Sequence, residues 1–184
     1  MAVKAVGESA GVLETIAREA SAESSLWQEA LRPEDEREPD VVFSVLADEH
    51  YALATESIYE GYLLHYGRPR IFAPHDPDVS ILLGDYLYAH GLVRLAQAGA
   101  ASDVTEFAHL ISLCSQLRAA NAPGDGVAWV ATSALLGRSD ARLAQARTAL
   151  RLESETAPLV SLARSLVEPD RIDSVLARHE RRLT

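Results

Sequence analysis

The chain is short of sulfur: Cys114 is its one cysteine and Met1 its one methionine in 184 residues. A lone cysteine excludes an internal disulfide and any cysteine-cluster metal site. No apolar run approaches the roughly 20 residues that a membrane-spanning helix needs. The opening segment, 1–11, lacks the long apolar stretch of a secretory signal. The cytoplasm is therefore the expected location. No stretch alternates polar and apolar residues as a half-buried strand would. A Gly-x-Ser-x-Gly elbow, a phosphate loop and a dinucleotide fingerprint are all absent, and with them the chemistries they serve.

Positive charge is scarce at the start. Through Glu60 there are four basic side chains (Lys4, Arg18, Arg32, Arg37) against fourteen acidic ones, and the remainder holds thirteen of each. The whole net charge of −10 thus lies in the first third. Such a chain repels phosphate backbones, which argues against nucleic-acid binding. The acidic third reads as a solvated face, or as a docking surface for a basic partner.

What is present favours helix. Hydrophobic residues make up 48% and charged residues 24%, the balance of a globular protein. Alanine, leucine, glutamate and arginine dominate. We expect one all-α domain over 1–184, an orthogonal or antiparallel helical bundle. Its parts are N-terminal helices and an acidic linker over 9–38, long central helices over 40–120, and short C-terminal helices over 123–184. Apolar spacing predicts helix over 9–31, with a polar linker between Pro33 and Pro39. Asp40 is placed to cap a long helix reaching Tyr66, stopped by Gly67-Arg68-Pro69. Further helices are expected at 78–98, 103–120, 127–136, 139–151, 156–167 and 170–183. Gly61, Gly84 and Gly91 lie inside the long helices, where each costs about 1 kcal/mol relative to alanine. Gly84 and Gly91 share a face, which predicts close approach of a neighbouring helix.

The segment Leu64–Ala96 carries two landmarks in order, Gly67-Arg68-Pro69 and Gly84-Asp85-Tyr86-Leu87. This helix–loop–helix frame resembles the trans-isoprenyl (polyprenyl) diphosphate synthases, and the similarity covers about a third of the chain. The resemblance implies a truncated isoprenoid synthase fold. It also implies an acidic motif about two turns before Gly67, whose carboxylates hold Mg²⁺ against a diphosphate. Here that stretch reads Glu56-Ser57-Ile58-Tyr59-Glu60, which keeps Glu56 and Glu60 as residual metal ligands, with serine in the middle. Arg68 is the residue left to hold diphosphate. No Asp-Asp pair follows Asp103, so the second acidic motif is missing.

A scaffold without its acids is similar to the small, motif-poor subunit of two-component polyprenyl synthases. The resemblance implies a non-catalytic subunit that stabilises or regulates a catalytic prenyl synthase, with Mg²⁺ bound only alongside that partner. It also implies a homo- or heterodimer through helix 78–98, which is apolar nearly all round. The alternative is a stand-alone helical binding protein that holds an apolar ligand in a closed cavity. A third reading is a minimal enzyme built on Glu56 and Glu60.

Other constellations are thinner. Glu106 and His109 form one Glu-x-x-His, where a di-iron bundle needs two plus further glutamates. His50, beside Asp48 and Glu49, is an isolated candidate base. Cys114 sits on an apolar stripe and reads as inert core. Tyrosines 51, 59, 62, 66, 86 and 88 cluster on two helices, as core residues or as the lining of an apolar tunnel.

Overall fold

The computed structural model describes the backbone of residues 2–99 and 101–183, and side chains from residue 11 onward over the same span. Lys4 and the other side chains of the first ten residues lie outside the described residues. Among the described residues there are helices and no strand, as the all-α expectation requires. Among those residues, the β-contact present is an isolated antiparallel bridge between Leu31 and Phe72.

The element order begins with α1 (Ala2–Glu23) and the short α2 (Ser25–Glu29), capped by the Ser24 side chain. The core pair follows, α3 (Ala52–Tyr66) and α4 (Pro77–Ala98). Then come α5 (Ala101–Ala119), α6 (Asp125–Ala134), α7 (Arg142–Glu153), α8 (Ala157–Arg164) and α9 (Pro169–Leu183). The starts and stops obey local chemistry. Asp76 accepts the Asp78 amide at 2.8 Å and Pro77 opens α4 in its first turn, where a missing N–H costs nothing. Gly67 and Gly99 end α3 and α4.

The expected helix over 40–66 is corrected at its first half. Residues 40–51 are irregular, with single 3₁₀ turns at Ser44–Leu46 and Glu49–Tyr51, and Asp40 caps nothing. The cause is a long-range competitor. One oxygen of Glu56 accepts the amides of Val42 and Ser44, at 3.0 and 2.9 Å, so those amides are lost to any helix there. Phe43, between them, is driven fully into the core.

Helix α3 is the axis of the molecule, with twelve of its fifteen residues buried. It runs antiparallel to α4: Ala54 and Ile58 lie against Gly91, Gly61 against Gly84, and Ser80 donates to the Leu64 carbonyl at 2.8 Å. A Cβ on Gly91 would sit 3.0 Å from the Ala54 carbonyl oxygen, and one on Gly61 would sit 2.8 Å from that of Gly84. The expected close approach is therefore present, and the glycines permit it. On one side of this pair, α1 and the 71–72 segment bury Leu13, Ile16, Leu64, Phe72, Leu83 and Leu87. On the other, α5 to α9 close over Phe43, Tyr59, Tyr62, Phe107 and Trp129.

Candidate functional site

The carboxylates of Glu56 and Glu60 lie one turn apart on α3, on the face turned toward the 67–72 loop. Both are completely buried, and so is Arg70 between them. Each glutamate divides its oxygens in the same way. Glu56 Oε1 accepts from the Val42 and Ser44 amides and its Oε2 from the Arg70 guanidinium. Glu60 Oε1 accepts from the amides of Arg70 and Ile71, at 2.7 and 2.9 Å, and its Oε2 from Arg70 Nε at 2.8 Å. Arg70 completes its fork on the carbonyls of Asp40 (3.1 Å) and Glu56 (3.3 Å). Burial alone would lower the guanidinium pKa, but the two adjacent carboxylates reverse that and raise it.

This geometry does not fit Mg²⁺. The ion keeps several waters in an open octahedral shell, whereas here all four carboxylate oxygens are buried and already bonded to protein donors. The pair functions as one half of an internal ion cluster. Burying two carboxylates and one cation leaves an excess negative charge, and four backbone N–H groups compensate it. Ser57 stands between the glutamates and accepts from Arg94 Nη1, whose guanidinium also pairs with Glu19 of α1.

The two landmarks have packing roles. A Cβ on Gly67 would lie 2.8 Å from the Arg182 carbonyl oxygen, so the loop can dock on the end of α9. Arg68 secures that docking, its amide donating to the Arg182 carbonyl at 2.8 Å and its guanidinium to the Arg181 carbonyl at 3.1 Å. Its side chain thus holds α9 and stands apart from the glutamates. Pro69 is half-buried beside it. A Cβ on Gly84 would lie 2.6 Å from the His65 ring. Asp85 is exposed and faces His65 Nε2 at 3.2 Å, Tyr86 packs on Trp27, and Leu87 is buried against α1. Leu87 and Tyr86 hold the N-terminal helices, and Gly84 brings α4 onto α3.

A second polar cluster joins α3, α5, α6 and α9. Tyr62 donates its hydroxyl to Asp125 and accepts from Arg118 Nε at 2.8 Å, while Arg118 also pairs with Asp125 directly. His179 Nε2 faces Asp125 at 3.5 Å, and its Nδ1 lies 3.0 Å from the Tyr59 hydroxyl. Burial would raise the Asp125 pKa, but hydrogen bonds from His179, Tyr62 and Arg118 overcome it and hold the carboxyl well below the usual range. Burial pushes both tyrosine hydroxyls up. The cluster floors an open cleft of about 490 Å³ between α6 and α9.

The remaining candidates separate. Glu106 pairs with Arg147, and His109 is exposed. His50 is exposed with its ring on Tyr51. Cys114 is buried and its thiol is pushed up by burial. Among the described residues, no group of three or more His, Cys, Asp or Glu side chains could hold a metal ion. Tyr51, Tyr59 and Tyr62 are core residues, and Tyr66, Tyr86 and Tyr88 are half-buried. Phe43, Tyr59, Tyr62 and Trp129 pack together beside α3, some edge-on and some stacked, with centroids 4.8–6.0 Å apart. No helix among the described residues is long and apolar enough to cross a membrane.

Sequence reasoning missed Arg70, Arg118, Asp125 and His179. A signal for Arg70 existed. Two acids on a helix otherwise rich in Ile, Tyr and Leu need a cation, and the loop that follows supplies two, Arg68 and Arg70. Asp125 and His179 left no such trace, because 54 positions of chain separate them. Comparison with known proteins returns no match at a significant level, neither to a family model nor to a curated protein or solved structure.

Proposed function

We infer that the chain is a non-catalytic, helical subunit that stabilises or regulates a prenyl diphosphate synthase in the cytoplasm. The observation that carries this reading is Arg70. The two carboxylates that the resemblance would assign to a metal-binding motif are closed over a buried arginine and four backbone amides, which supports a chain without that metal chemistry. The aromatic core beside α3 is in keeping with this reading, since Phe43, Tyr59, Tyr62 and Trp129 are all buried there.

A subunit of this kind needs a surface for its partner. Helix α4 offers one. Ile81, Leu82 and Val93 stay exposed, while Leu83, Leu87 and Leu95 are buried and Tyr88 and Leu92 pack against the protein's own core. A partner seated there would make the dimer, homomeric in isolation and heteromeric with the catalytic chain.

A prenyl-transfer assay tests the reading. The purified chain with Mg²⁺, an allylic diphosphate and isopentenyl diphosphate should give no product. Added to the full-length prenyl synthase of the same cell, it should raise turnover or change product length. Turnover by the chain alone, abolished by Glu56→Gln, would overturn it.

A further inference from the structure

The groove between α5 and α7 differs from the other clefts described. Those over α6 and α9, over α1 and α4, and beside Asp48 each carry carboxylates: Asp125 and Glu180, Glu19 and Glu23, Asp48 and Glu168. The α5–α7 groove has none. It is lined by His109, Ser112 and Gln116 on one face of α5, and by Arg147, Thr148 and Arg151 on one face of α7, over an apolar floor at Leu113. In a chain of net charge −10, a cleft walled by two guanidiniums, an imidazole, two hydroxyls and an amide is electrostatically distinct.

We propose that this groove binds a small phosphate-bearing molecule. Its cavity of about 240 Å³ suits a small anion and is too small for a macromolecule's backbone. Arg151 and His109 are exposed and have no partner among the described residues, so their donors are free. Arg147 is 7% exposed and held from behind: its Nη groups bond Glu106 and Thr132, while its Nε has no hydrogen-bond partner. The free Arg151 guanidinium, with the Ser112 and Thr148 hydroxyls beside it and the Arg147 charge behind, matches the oxygens of a phosphate, and the apolar floor takes an organic substituent. Glu106, the carboxylate beside the groove, is already paired with Arg147. The site stands independently of the subunit reading.

The His109 imidazole resonances of the full chain provide the readout. They are followed during titration with phenyl phosphate, inorganic phosphate and benzoate at constant ionic strength. Phenyl phosphate should give a saturable shift with a Kd that is roughly millimolar or tighter. Arg151→Ala should weaken it at least tenfold, while Arg164→Ala on α8 leaves it unchanged. Phenyl phosphate binding more tightly than inorganic phosphate assigns an organic monoester; equal binding assigns free phosphate. No saturable shift, an unchanged Kd in Arg151→Ala, or benzoate binding as tightly as phenyl phosphate would each overturn the proposal.

Discussion

Arg70 meets Glu60 twice, once through its side chain at 2.8 Å and once through its own backbone N–H at 2.7 Å. One carboxylate therefore fixes both the position of the 67–72 loop and the direction of its arginine. Glu56 completes the cluster from the next turn and ties in residues 42–44. Three successive segments of the chain meet at one buried cluster, and Arg70 is its cation. Removing that cation leaves two unpaired buried carboxylates. Arg70→Met should destabilise the fold by about 3–5 kcal/mol. The triple variant with Glu56→Gln and Glu60→Gln should recover part of that loss. Urea denaturation measures both, and a loss under about 1 kcal/mol for Arg70→Met would show that the cluster is dispensable.

The α3–α4 contact depends on the absence of side chains. A methyl group on Gly91 would gain about 1 kcal/mol of helix propensity if nothing stood in its way. Here it meets the Ile58 side chain and the Ala54 carbonyl. Gly91→Leu should therefore lower stability by more than about 1 kcal/mol through overpacking. An unchanged thermal midpoint would remove the close-approach argument.

Asp125 sets a pH dependence with a definite sign. Its folded pKa is depressed below the ordinary 3.8, chiefly because His179, Tyr62 and Arg118 hydrogen bonds outweigh burial. The unfolded chain therefore binds its proton first as pH falls, and the contribution is present above the ordinary value and lost below it. Asp125→Asn should cost about 2–3 kcal/mol at neutral pH. That difference from the wild-type chain should narrow as pH drops below about 4. A gap that stays constant down to pH 3 or so would show that the carboxylate's charge is not what the network uses.

The exposed part of α4 makes a prediction about association. Ile81, Leu82 and Val93 are 49%, 55% and 53% exposed on a helix whose other large apolar residues are buried or half-buried. Leu82→Asp should shift a dimer toward monomer at micromolar concentration without lowering thermal stability by more than about 0.5 kcal/mol, since more than half of the residue is exposed. Light scattering reads the shift. A monomer of 19.9 kDa for the unmodified protein would end the dimer expectation.

The helices were legible because each carries its own pattern. Expected spans 78–98 and 103–120 meet observed helices Pro77–Ala98 and Ala101–Ala119, and 170–183 meets Pro169–Leu183. The apolar period of α5 and the prolines opening α4 and α9 are local facts. The error at 40–51 was not local: the amides of Val42 and Ser44 go to Glu56, twelve and more residues on. The same holds at the site. Spacing placed Glu56 and Glu60 on one face, but periodicity says nothing about what faces them. Arg70 arrives through a loop, and His179 reaches Tyr59 across 120 residues. Arg68, which stands in the recognisable motif, belongs to the docking of α9, whose polar sequence gave no hint that His179 and Arg182 are buried.

The subunit reading is tested most directly by sedimentation velocity of the purified chain mixed with the full-length prenyl diphosphate synthase of the same cell. At about 10 μM of each, an affinity near −8 kcal/mol already fills most of the complex. The account predicts one joint boundary, heavier than either protein alone, that persists at moderate salt and is lost with Leu82→Asp. Two boundaries at the positions of the separate proteins, with nothing sedimenting faster, would contradict it.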